Sequence, residues 1–281
     1  MTIDSWRAAI GGSWSRLLLY PGGLTALGLA LVLALLWRLI AGAQQSHERP
    51  GIAAWWCIPA LAAPLLAIGS LPLPAPTELR VALDLPTMLL LLELPALVAA
   101  LDALRSPVLA RQAHGAVYLA GLLTAAPVLA LVLATVAMSS GTLVLAVPPP
   151  PGTANLIAAI CWALALPPLL QLGPWHAPLP PFLSLRVALQ LRRAGHLSLA
   201  VLPWLARWPS ELPVPPTMIE IREKLPFLGS FMLLGLLLIV WDRIGRRGEM
   251  RRLGLLYIPV ALVLIGVLLL QSAGALQDRL Q

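Results

Sequence analysis

Apolar residues fall in long blocks along this chain instead of alternating with polar ones. The blocks run from Leu18 to Ala41, Ile52 to Leu73, Leu83 to Leu101, Val117 to Met138, Ala154 to Leu172, Pro226 to Trp241 and Leu253 to Gln271. Each approaches the roughly 20 residues a helix needs to cross about 30 Å of hydrocarbon. A shorter, more polar stretch near Leu197 to Trp208 makes an eighth candidate. The ten-residue alternation of a membrane β-barrel is absent. The pattern therefore predicts an all-α polytopic membrane protein of about eight transmembrane helices.

Between the fifth and sixth blocks lies GPWHAPLPPFLSLRVALQLRRAG, residues 173 to 195, which contains no acidic residue. Pro174, Pro178, Pro180 and Pro181 forbid a continuous helix leaving the fifth block. Beyond them, Phe182, Leu185 and Leu189 recur at helical spacing on one face, with Arg186, Gln190 and Arg193 on another. This reads as a basic helix lying at a membrane interface. Trp6, Arg7, Trp14 and Arg16 suit a similar interfacial segment over residues 1–17. The expected organisation is thus an N-terminal interfacial segment (1–17), helices 1 to 5 (18–173), a basic cytoplasmic loop with its interfacial helix (174–196), and helices 6 to 8 (197–281).

Charge fixes the expected orientation. Eight spans place 12 of the 19 basic residues on one side, among them Arg38, Arg49, Arg186, Arg192, Arg193, Arg251 and Arg252, and 7 on the other. Without the span near Leu197 the division becomes 11 to 8. The positive-inside bias favours the first arrangement, with both termini on the non-cytoplasmic side of the inner membrane. The same bias accounts for the net charge of +7 and the pI near 10.7 without invoking a nucleic acid partner. Composition agrees, since 59% of the 281 residues are hydrophobic, 11% are charged, and the mean hydropathy is +0.86. A soluble domain has about 45–50% apolar and about 25% charged residues. The N-terminal apolar run exceeds a signal-peptide core, so the N-terminus is expected to remain in the mature protein.

Candidate chemistry is sparse. Glu93, in DLPTMLLLLELPALVAALD, is the main acid within an apolar block. An ionisable side chain there costs at least about 2.5–3.5 kcal/mol on insertion scales, so it faces protein and is a candidate for a proton path or a packing contact. Asp84 and Asp102 fall on the opposite helical face from Glu93, so the three do not form one relay. Pro95 frees a backbone carbonyl that is a possible neighbour for Glu93. Cys57 and Cys161 lie alone in apolar blocks and read as buried thiols, and His47, His114, His176 and His196 lack metal-ligand spacing. There is no phosphate-binding glycine loop or nucleophile elbow. No catalytic residue, metal site or bound cofactor is expected.

The order of features resembles the membrane subunit family shared by respiratory complex I (its subunit 1), formate hydrogenlyase (its subunit 4) and energy-converting hydrogenases. AGAQQSHERPG (41–51) is similar to the family's Q-x-R-x-GP signature, LRSPVLARQAHG (104–115) to its SPF-type loop, and GEMRRLGLLYIP (248–259) to its AKMRxFRxP stretch. GPWHAPLPPFLSLRVALQLRRAGHLSLAV keeps the spacing of Pro174 and Pro178, a glycine at Gly195, and the Leu199–Ala200 opening of the next span. The acids of that family loop are missing here, and the amphipathic helix after the GP signature is deleted. The resemblance implies a non-catalytic subunit that joins a peripheral hydrogenase-like or iron–sulfur arm to antiporter-like membrane subunits. It leaves ion translocation doubtful and implies that any quinone sits at a subunit interface. Arg38, Arg49, Arg186, Arg192, Arg193, Arg251 and Arg252 are the expected docking residues, with anionic lipid headgroups as their other partner. The alternatives are a stand-alone transporter, and a membrane-embedded enzyme acting on lipid or isoprenoid substrates.

Overall fold

The computed structural model describes residues 23–41, 54–71, 83–140, 143, 153–177, 180, 182–205 and 219–245. They form seven α-helices and no sheet: α1 Gly23–Ala41, α2 Cys57–Gly69, α3 Leu85–Leu104, α4 Leu109–Ser140, α5 Thr153–Leu169, α6 Leu183–Leu205 and α7 Ile219–Gly245. The all-helical class expected from the apolar blocks is the class observed. Single 3-10 turns at Ala54–Trp56 and Gly173–Trp175 lead into α2 and follow α5.

Local sequence sets the helix ends. Asp84 caps α3 by accepting the Thr87 amide at 3.2 Å, and Pro86 occupies the first turn, where an amide hydrogen is not needed. This hydrogen bond with Thr87 holds the Asp84 carboxyl below its ordinary value. After α5, the Leu172 amide donates to the Pro167 carbonyl at 2.9 Å and the Gln171 amide to Pro168 at 3.3 Å. That is a Schellman ending, which requires a left-handed residue at the position usually given to glycine. Gln171 takes that conformation with φ 51°.

Among the described residues two helical stretches, Leu85–Leu104 and Leu109–Ala137, are long and apolar enough to cross a membrane. The expected set of eight spans is not supported. The remaining apolar helical stretches, Ala26–Arg38, Cys57–Gly69 and Ile160–Leu169, are shorter. The 13 residues of α2 rise only about 20 Å, and Ser70 terminates it through its amide bonds to Leu66 and Ala67. The block from Ala154 is closed by Pro167, Pro168 and the turn at Gln171. The segment 1–17 and the block Leu253 to Gln271 lie outside the described residues.

The largest departure concerns residues 174–196. The expected interfacial helix and the short span after it are one continuous helix, so the boundary at 196 falls inside α6. This helix is the hub of the bundle, packed against α1, α2, α3, α5 and α7. Every residue from Leu191 to Val201 is buried. Gly195 permits the close approach, because a Cβ there would run into the Leu92 side chain and crowd Ile68.

The core is mainly apolar, but it also encloses charged side chains, and large aliphatic side chains remain outside. Asp102, Arg111, Arg192, Arg193, His196 and Asp242 are buried, whereas Leu31, Ile58, Leu90, Leu123, Leu233 and Leu237 are exposed. The exposed leucines recur along the outer faces of α1, α3, α4 and α7. Soluble domains almost never bury so many charges while leaving rows of large aliphatic side chains outside.

Candidate functional site

Two of the buried basic side chains of α6, Arg192 and His196, meet at Glu93 on α3. Arg192 of α6 donates to Glu93 Oε2 twice, from Nε at 3.0 Å and from Nη2 at 2.7 Å. His196, one helical turn further along α6, places Nε2 2.6 Å from Glu93 Oε1. The i, i+4 spacing of Arg192 and His196 puts both on the face turned to α3. Arg192 also donates through Nη1 to Gln171 Oε1 at 3.2 Å and through Nη2 to the Leu169 carbonyl. Four of the five N–H groups of its guanidinium are therefore engaged.

The backbone after α5 is shaped for this contact. The left-handed turn at Gln171 brings its side chain to Arg192, while Gln171 Nε2 donates to the Leu169 carbonyl at 3.0 Å. Left-handed backbone at a non-glycine residue costs on the order of 1–3 kcal/mol, and such strain concentrates where a side chain is needed. The Trp162 ring of α5 lies tilted against His196, with centroids 6.3 Å apart. The cluster thus draws on α3, α5, α6 and the turn following α5.

Two further polar contacts serve as joints. Arg111 Nη2 donates to Asp102 Oδ2 at 2.6 Å, tying the last turn of α3 to the first turn of α4. Asp242 of α7 accepts the Gly173 amide at 2.9 Å and has His176 Nδ1 at 3.9 Å, which fastens α7 to the α5–α6 connection. Asp84, Glu93 and Asp102 have different partners, in keeping with their positions on opposite faces of α3.

The basic residues expected to dock a partner are distributed unevenly. Arg192 is fully buried and paired with Glu93. Arg193 is also buried, with its guanidinium 4.5 Å above the Trp37 ring. Neither is presented on the bundle surface, because both lie on a helix enclosed by other helices. Arg186 is half-buried and donates from Nε to the Pro180 carbonyl at 2.7 Å, and Arg38 is exposed in the last turn of α1. Arg49, Arg251 and Arg252 lie outside the described residues.

The partners of Glu93 are Arg192 and His196, in place of the carbonyl near Pro95, and Gln171 joins the cluster through Arg192. Both Glu93 oxygens accept strong hydrogen bonds, so the cluster holds a carboxylate and a guanidinium together in the apolar interior. Among the described residues no group of three or more His, Cys, Asp and Glu side chains could hold a metal ion. Cys57 and Cys161 are free and buried in two separate apolar clusters. No known family profile matches the chain, and neither does any curated protein.

Proposed function

We propose that this chain is a non-catalytic integral membrane subunit of a multi-subunit respiratory redox complex, where it joins a peripheral hydrogenase-like or iron–sulfur subunit to antiporter-like membrane partners. The rows of exposed aliphatic side chains are the observation that carries the membrane part of this reading. They lie outside a bundle whose interior holds the ion pairs Glu93–Arg192 and Asp102–Arg111. Such a distribution is stable where the surroundings are lipid tails and neighbouring helices. The redox-complex part rests on the stretches 41–51, 104–115, 173–201 and 248–259 that resemble the shared membrane subunit.

In this reading Glu93 is first a packing residue, since both its oxygens are committed to α6. Ion movement is not assigned to it, because the acids that the family carries between residues 173 and 195 are missing here. Docking of the peripheral arm falls to the accessible basic residues, Arg38 and Arg186 among the described ones. Any quinone lies at the boundary with a partner subunit, and anionic lipid headgroups meet the remaining arginines.

Extraction of the tagged full-length chain in mild detergent, followed by identification of co-purifying polypeptides, tests the proposal. Recovery of iron–sulfur and antiporter-like chains in fixed ratio supports it. Recovery of this polypeptide alone, from cells grown under respiratory conditions, overturns the complex-subunit reading and favours a stand-alone membrane protein.

A further inference from the structure

Two buried ring nitrogens next to the Glu93 cluster have no hydrogen-bond partner: Trp162 Nε1 and His196 Nδ1. Their residues are 4% and 0% exposed, and their rings face each other across the α5–α6 contact with centroids 6.3 Å apart. The chemistry of each atom is fixed. An indole nitrogen is only a donor. His196 Nε2 lies 2.6 Å from Glu93 Oε1, while the other oxygen of the same carboxylate, Oε2, accepts from Arg192. A carboxylate accepts, so Nε2 carries the hydrogen and the neutral ring leaves Nδ1 as an acceptor. One donor and one acceptor are therefore carried by two rings packed against each other inside an apolar bundle, where leaving either unpaired is unfavourable.

We propose that Trp162 and His196 together bind a single water molecule, which accepts from Trp162 Nε1 and donates to His196 Nδ1. Water is the smallest molecule offering both functions, and buried waters typically bridge two to four otherwise unsatisfied polar groups. The site extends the network into one chain of hydrogen bonds, from Gln171 through Arg192, Glu93 and His196 to the water and Trp162. The inference is independent of which complex the chain belongs to.

Solid-state NMR of the full chain in lipid bilayers tests it, with 15N-labelled histidine and tryptophan. Changing His47, His114 and His176 to Gln leaves His196 as the single histidine signal, and Trp162→Phe identifies the indole signal by its loss. The expected result is transfer of water polarisation to both the Trp162 indole proton and the His196 ring. The His196 Nδ1 resonance should also lie upfield of a free imine nitrogen and move towards it in Trp162→Phe. Two outcomes overturn the proposal in the protein with Trp162 intact: an Nδ1 resonance at the free imine position, or a direct Trp162–His196 hydrogen bond without water transfer. Both are read without the Phe variant, so its failure to fold would not protect the idea.

Discussion

Replacing Arg192 with Met removes the guanidinium bound to Glu93, and the structure sets the scale of the damage. Arg192 is fully buried and the Glu93 side chain is 15% exposed, so neither charge is well solvated once its partner is gone. Breaking a buried pair from one side costs about 3–5 kcal/mol, and Glu93→Met should cost a similar amount from the other side. Removing both charges together behaves differently. The double variant strands only neutral groups, chiefly His196 Nε2 and Gln171 Oε1, each at about 1–3 kcal/mol. It should therefore fall short of the sum of the single effects, by about 0.5–3 kcal/mol, the range measured for residues in one network. Reversible unfolding from bicelles by SDS, followed by far-UV circular dichroism, gives the four stabilities needed. A double variant as unstable as the two single changes added together would refute the pairing of Glu93 with Arg192 inside the bundle.

Gln171 carries two opposed effects: glycine relieves its left-handed backbone but loses the bond to Arg192, whereas alanine keeps the strain and loses the bond. The same unfolding assay should rank wild type above Gln171→Gly, and Gln171→Gly above Gln171→Ala by about 1 kcal/mol. Gly195→Leu should destabilise by about 1–3 kcal/mol or more through overpacking against Leu92 and Ile68, while Gly28→Ala, which meets open space, should be neutral or slightly stabilising. Asp84 contributes to stability above its ordinary value of 3.8, and that contribution is lost as pH falls through its lowered native value. Unfolding of wild type and Asp84→Asn should accordingly converge at acid pH and differ at neutral pH. Asp102→Leu should be far more harmful than the joint change of Asp102 and Arg111 to Leu, since the first leaves Arg111 buried without its carboxylate.

The helical class and the bodies of α3 and α4 were legible because long apolar blocks have one economical structure at these lengths. So was the interior role of Glu93, because a carboxylate there must find a partner. The centre of the fold was not. Residues 182–193 show an apolar and a basic face, and hydrophobic periodicity alone places the basic face against water or headgroups. Periodicity reports which residues share a face, but not what that face meets. Two local signals pointed inward. Arg192 and His196 stand one turn apart on a helix, a spacing suited to gripping one carboxylate, and Gly195 between them marks a close helix approach. The role of Gln171 had no such signal, because its left-handed backbone appears only once Pro167 and Pro168 have ended α5.

The most polar helix stands at the hub because its charges are complemented from several directions at once. Glu93 of α3 neutralises Arg192, the Trp37 ring of α1 covers Arg193, and the turn after α5 offers a carbonyl and an amide oxygen. A single neighbouring helix could not supply all of these, so α6 is stable only where several helices meet around it. The same arrangement separates the two roles first expected of its arginines. A guanidinium with four of its N–H groups engaged inside the bundle is not free to grip a partner's carboxylate. Arg192 therefore governs whether the bundle closes. Arg192→Met should lower the yield of folded chain before it lowers partner binding, whereas Arg38→Gln should leave the fold intact. Finding the reverse, a well-folded Arg192→Met that has lost its partner, would return α6 to the surface.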